Sequence, residues 1–254
     1  MAEVKKTLHD PKIMRTLPGG YHSMHCLRFA SNSKIFVSSP VSFDIRLMHT
    51  DETLPTTFRT KNSPRFLTPF EDGVLYTGKK GIRKIDREGD RIFLEIEGGL
   101  RGLQYVGPNT IFICKSSHVE KYATSGKKLL EIKLDDPGKR NDRNLQNISI
   151  NGNGDICVAE YSEADEAKNY APSLTVVDKY GKYRFSYFPQ PSGSPMDLCC
   201  DLSYHIIIAS KLIHVINKDG YFLRYLNYEG VQEPCSVTID SEDHLFVSQL
   251  DDTS

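Results

Sequence analysis

Two histidines stand three residues apart in Tyr21-His22-Ser23-Met24-His25, and imidazole pairs of this kind can ligate a metal ion. The segment runs into an extended stretch, however, and residues three apart on a strand project from opposite faces. The remaining histidines, His9, His49, His118, His205, His214 and His244, are scattered along the chain. Five aspartates, Asp155, Asp197, Asp201, Asp240 and Asp243, fall near strand ends and short turns that a repeat fold would bring close to its axis. Carboxylates so placed could hold a cation, but turn and strand-end Asp ordinarily folds back onto backbone N–H groups. Neither a Gly-x-Ser-x-Gly elbow, nor a phosphate-binding glycine loop, nor a His-Glu-x-x-His helix occurs. The expectation is therefore a chain with no catalytic residue, no metal ligand and no cofactor.

A second set of residues suits binding. Lys61, Arg65, Lys79, Lys80, Arg101, Lys115, Lys139, Arg140 and Arg143 form a basic series with Glu163, Asp165 and Glu166 beyond it. Residues 79 to 147 carry 15 Lys/Arg against 10 Asp/Glu, a balance of +5, so the remainder carries −6 to reach the total of −1. Such a series attracts RNA phosphates or an acidic peptide. Tyr161, Tyr170 and Tyr228 could stack on bases or anchor a protein contact, so both partners stay open. Near-neutral total charge tilts the reading toward a protein.

What must position these residues is a repeat. Ser173 to Phe188 reads SLTVVDKYGKYRFSYF, and Leu212 to Leu226 reads LIHVINKDGYFLRYL. Five such hairpins occur, with turns at His49-Thr50-Asp51-Glu52, Asp86-Arg87-Glu88-Gly89, Ala123-Thr124-Ser125-Gly126, Asp178-Lys179-Tyr180-Gly181 and Asn217-Lys218-Asp219-Gly220. Asp or Asn can cap the turn and Gly accepts positive φ, which is hairpin chemistry; the first copy lacks the Gly. Ahead of each hairpin lies another strand pair, in six copies, whose second strands begin at Ile35, Val74, Ile111, Ile156, Ile206 and Leu245. The spacings of 39, 37, 45, 50 and 39 residues are those of a four-stranded propeller blade.

The expected fold is all-β, a single six-bladed β-propeller over residues 1–254, with blades near 23–60, 65–97, 102–134, 145–188, 195–227 and 234–254. The last copy supplies only two strands, and residues 12–17 are expected to add the outer strand that closes it. One further strand of that blade stays unaccounted for. In strand order a–b–c–d, the a–b and c–d turns share one face, and the b–c loops and d–a crossovers share the other. The turns of the first face read as tight, whereas 135–146, 161–171, 189–195 and 227–234 read as long segments of the second, which is therefore the expected binding face.

Composition limits the alternatives. The chain has 13 Tyr and 12 Phe for a core, and its six cysteines lie in apolar runs, as reduced core thiols would. The sequon at Asn147-Ile148-Ser149 is discounted as a chance match. No apolar run is long enough for a signal peptide or a membrane span, so a cytoplasmic protein without a membrane partner is expected.

The motifs NISINGNGDICVAEY, SLTVVDKYGKYRFSYF, HVINKDGYFLRYL and PCSVTIDSEDHLFVSQ resemble NHL-type repeats, and PKIMRTL resembles the strand that begins such a domain. The likeness is to the C-terminal propellers of tripartite-motif (TRIM) proteins, particularly bivalve-type sets. It covers nearly the whole chain and is clearest from Asn147 onward. It implies a non-catalytic module that selects a protein substrate, or a single-stranded or stem-loop RNA, for a ubiquitin ligase. RING, B-box and coiled-coil modules, the last giving oligomerisation, would belong to a longer parent protein. Some six-bladed propellers are instead metal-dependent hydrolases or lactonases, which is the less favoured reading.

Overall fold

The computed structural model describes residues 26–31, 33–51, 53–134, 144–161, 173–191, 197–227, 231 and 233–249, and all its regular elements are β-strands. Blade 1 is β1 (Cys26–Phe29), β2 (Lys34–Ser38), β3 (Asp44–His49) and β4 (Thr56–Arg59). Blade 2 is β5 (Leu67–Phe70), β6 (Gly73–Gly78), β7 (Gly81–Asp86) and β8 (Gly89–Glu95). Blade 3 is β9 (Leu103–Val106), β10 (Thr110–Cys114), β11 (His118–Ala123) and β12 (Lys128–Lys133). Blade 4 is β13 (Leu145–Ile150), β14 (Ile156–Glu160), β15 (Ser173–Val177) and β16 (Tyr183–Tyr187). Blade 5 is β17 (Asp197–Cys200), β18 (Ile206–Ala209), β19 (Ile213–Ile216) and β20 (Phe222–Leu226). Blade 6 shows β21 (Pro234–Ile239) and β22 (Leu245–Gln249).

Every sheet is an antiparallel meander in chain order. The innermost strands β1, β5, β9, β13, β17 and β21 each pack beside the next, and β21 packs against β1, which closes the ring. A sheet that is apolar on both faces cannot stand alone, and here each gap between blades holds its own core. Leu75 and Ile82 meet Ile111 and Ile113 between blades 2 and 3; Val119 and Ile132 meet Ile148 and Val158 between blades 3 and 4. The smallest core lies where the last blade meets the first, with Leu27, Ile35 and Val37 buried and the Phe29 and Phe246 rings stacked at 5.8 Å. Residues 12–17, expected to pair with blade 6, lie outside the described residues. Closure among the described residues rests on β1 against β21 and β22.

The hairpin chemistry works as the sequence implies. Gly89, Gly126, Gly181 and Gly220 have φ of +112°, +90°, +92° and +89°. Asp178 Oδ1 accepts from the Tyr180 and Lys182 N–H groups at 2.9 Å, and Asn217 Oδ1 repeats this with Asp219 and Tyr221. The copy without a glycine departs from expectation. There β3 ends at His49 and β4 begins only at Thr56, with Leu54 exposed, and the glycine that takes positive φ in the other four copies is missing. The b–c turns of blades 2, 3 and 5 are also short, so length on that face resides in the crossovers and in the connection from β14 to β15.

Cysteine chemistry and burial agree with the sequence reading. All six cysteines are free thiols, five of them buried. Asn147 of the sequon is buried and structurally engaged, so the folded chain offers it to no glycan. Among the described residues, no helix is long and apolar enough to cross a membrane.

Where blades 3 and 4 meet, Gly102 lets two inner strands approach: a Cβ there would lie 2.5 Å from the Asn147 Cα and 2.7 Å from the Ile148 nitrogen. Gly102→Ala should therefore lower the urea midpoint, at a cost of about 1–3 kcal/mol. An unchanged midpoint would mean that the ring is slack at this point.

Candidate functional site

A cavity of about 330 Å³ lies on the ring axis, lined by residues of all six inner strands. Among the described residues Arg28 is the one charged residue in its lining, and its partner is Asp197. The guanidinium reaches from β1 to β17 and grips both carboxylate oxygens, at 2.7 and 2.9 Å. Asn147 of β13 donates to Asp197 Oδ1 at 2.5 Å. The Ser236 hydroxyl and Val237 N–H of β21 donate to Oδ2, and the Leu198 N–H donates to Oδ1. One carboxylate thus joins four of the six blades. Burial opposes the charge on Arg28, but the field of Asp197 overcomes it and raises the guanidinium pKa above its ordinary value.

A second device surrounds this clamp. The Phe29 N–H donates to Thr238 Oγ1, the Tyr105 N–H to Thr68 Oγ1 and the Ile150 N–H to Gln104 Oε1. In each case a side chain of one inner strand satisfies the backbone of the next. At the junction of blades 1 and 2 the equivalent side chain is Arg28, which cannot accept, and the equivalent backbone is Pro69, which has no N–H to donate. The mismatch cancels, and Arg28 is left for Asp197.

The expected turn role holds for two aspartates. Asp201 takes the Ser203 and His205 N–H groups, Asp240 takes those of Glu242 and His244, and each also pairs with the imidazole four residues on. Asp155 instead pairs with Arg184, and Asp243 accepts from the Leu202 N–H of the neighbouring blade. Asp197 departs furthest, because its partners come from other blades. The Tyr21–His25 segment lies outside the described residues.

Strand order places Lys61, Arg65, Lys79, Lys80, Arg101, Lys115 and Tyr161 on the face of crossovers and b–c turns. Lys61, Arg65, Lys79 and Lys80 are exposed; Arg101 and Tyr161 are half-buried. Lys139, Arg140, Arg143, Tyr170 and Tyr228 lie outside the described residues, as do Glu163, Asp165 and Glu166. Lys115 is half-buried too, donating to the Glu97 carbonyl and lying 3.5 Å from Glu120.

Glu120 belongs to a group that sequence reading missed. His118, Glu120 and Glu131 offer ligand atoms within 4.8 Å of one another, as a metal site would. The Lys128 ammonium already sits there, 2.5 Å from Glu120 and 2.6 Å from Glu131. Burial would raise the Glu120 pKa, but the Lys128 and Tyr122 hydrogen bonds and the Lys115 charge hold it down at about 2. The signal was cross-strand: Glu120 and Glu131 are direct partners in the β11–β12 register.

His214 is the remaining buried ionisable group of note. It is inaccessible to solvent, 2.9 Å from the Tyr187 hydroxyl through Nδ1, and walled edge-on by Tyr225 and Phe222; its Nε2 finds no partner among the described residues. Burial pushes its pKa from 6.5 to about 4.

Known structures share this architecture. The virginiamycin B lyase of Staphylococcus aureus, a catalytically inactive variant solved with quinupristin, is 12% identical, with 91% of this chain and 86% of that one covered at a TM-score of 0.63. A gluconolactonase of Xanthomonas campestris is 13% identical over 89% and 83%, with a TM-score of 0.68. A nidogen/laminin complex is matched at 10% identity over 85% and 84%, with a TM-score of 0.66. The chain is a β-propeller. It has five four-stranded blades and a two-stranded sixth among the described residues. Neither a protein-family model nor a curated protein sequence matches it. The propeller fold is thus shared with a lyase, a lactonase and a protein of a binding complex.

Asp197→Asn should destabilise the propeller by about 3–5 kcal/mol, because it strands a buried guanidinium. Arg28→Met should cost a similar amount, and the double variant much less than the sum. Urea denaturation reads this cycle; additive losses would show that the two groups act separately.

His214 gives a pH signature. The unfolded chain takes its proton near pH 6.5 and the folded chain only near 4, so its contribution is complete above 6.5 and disappears as the pH falls toward 4. The loss from this one group is about 3 kcal/mol. His214→Phe should flatten the fall in urea midpoint across this window, and an unaltered profile would place the acid sensitivity elsewhere.

Proposed function

We propose that this propeller is a non-catalytic binding scaffold and that it takes a protein partner on its crossover face. One observation carries the reading: the axial acid and base, Asp197 and Arg28, are committed to each other, while Lys61, Arg65, Lys79 and Lys80 stand exposed on that face. The nidogen/laminin neighbour supports protein binding as a use of this fold, and the lyase and lactonase neighbours support catalysis as another. In this chain the axial polar pair serves the ring. The repeat motifs extend the proposal to target recognition for a TRIM-like ubiquitin ligase, with transfer chemistry in other modules. Single-stranded or stem-loop RNA is the second reading, favoured by the same exposed cations.

Photo-crosslinking residues installed at Lys61 and Lys80 should yield protein adducts that survive RNase, whereas the same residues at Lys179 and Lys182, on the opposite face, should not. Adducts lost to RNase would favour RNA, and equal yields from both faces would overturn the assignment. Turnover of quinupristin or gluconolactone with added magnesium, calcium or zinc would overturn the non-catalytic reading.

A further inference from the structure

We infer that the outer surface of blades 1 and 2 on the crossover face is a docking site for an extended acidic protein segment carrying an apolar anchor; this rests on the binding-scaffold reading above. Two large apolar side chains stand exposed in the β2–β3 loop, Val41 at 82% and Phe43 at 57%. Their loop is held in place. The Phe43 carbonyl accepts from the Thr60 N–H at 2.9 Å, and the Pro40 carbonyl accepts from the Ser63 hydroxyl at 2.6 Å, both on the crossover from blade 1 to blade 2.

That crossover carries the exposed Lys61 and Arg65, and it is fixed in turn: the Lys61 N–H donates to Asp90 at 2.6 Å and the Phe66 carbonyl accepts from the Thr77 N–H. It also lies against Gly78, where an added Cβ would meet Asn62 Oδ1 at 3.0 Å, immediately before the exposed Lys79–Lys80 turn. Three segments, 39–43, 60–66 and 79–80, thus form one pinned surface, and none contains an acidic residue. The neighbouring carboxylates are engaged inward, Asp90 by Arg83 and Tyr76, and Asp44 by Ser42.

An apolar pair beside four exposed cations calls for a partner of opposite charge with one apolar side chain to bury. Fixed loops lower the ordering cost of binding. The apolar pair is half aliphatic and follows Pro40, which suits a protein side chain better than base stacking, where aromatic platforms dominate.

The test is selection of displayed random dodecapeptides on the full chain, followed by fluorescence polarisation of the enriched peptides and of labelled oligouridine. Enriched peptides should be acidic with an aromatic or large aliphatic residue. Val41→Ser with Phe43→Ser, and separately Lys79→Glu with Lys80→Glu, should each weaken them by about tenfold or more. Both pairs are exposed, so unchanged melting of the variants verifies the fold. Peptides without acidic bias, no enrichment, or tight oligouridine binding lost in the same variants would overturn the proposal. Peptides unaffected by these variants but weakened by Arg101→Glu would overturn the patch and leave the face reading standing. Peptides weakened only by Lys179→Glu with Lys182→Glu would overturn both.

Discussion

A carboxylate at the hub of a ring must be neutralised, and Asp197 is neutralised by groups that no single blade could supply. Its partners come from blades 1, 4 and 6, so the clamp can form only when those blades are side by side. Removing two charges from water carries a desolvation cost that the pair itself barely offsets. What the arrangement adds is register: the hydrogen bonds to Asp197 fix the height of β1, β13 and β21 against β17. The apolar cores between blades supply the adhesion, and the clamp selects one way of stacking them.

This division of labour separates the axis from the rim. Along the axis, hydroxyl and amide side chains are spent on the N–H groups of the next strand, and the lone guanidinium is spent on a carboxylate. On the crossover face, pinned loops carry exposed cations and apolar side chains. The same logic covers the Glu120 cluster, where Lys115 and Lys128 turn a metal-like geometry into an internal salt network.

Local chemistry was the legible part of the sequence. The glycine-ended hairpins, the strand pairs and their spacing lie within short windows, where residue type and backbone conformation correspond directly. Facing follows from strand order alone, which assigns Lys61, Arg65, Lys79 and Lys80 to the crossover face but says nothing of their exposure. The clamp was not legible, since Arg28 and Asp197 are 169 residues apart and an aspartate beside a turn ordinarily caps it. Lys115 looked like its exposed neighbours because nothing in a b–c turn reveals a buried Glu on the following strand. Val41 and Phe43 were passed over for a related reason: apolar residues in a loop read as core until their surroundings are seen.

Amide hydrogen exchange read at the cross-blade donors tests ring closure most directly. Leu27, Phe29, Tyr105, Ile150 and Val237 each donate a backbone N–H to a side chain of a neighbouring blade. If the inner strands form one closed, clamped ring, all five should exchange together, only through global unfolding, with the same free energy as urea denaturation. Fast exchange at Leu27 and Phe29 with continued protection at Tyr105, Ile150 and Val237 would contradict the account, because it would mean that the ring opens between its last blade and its first.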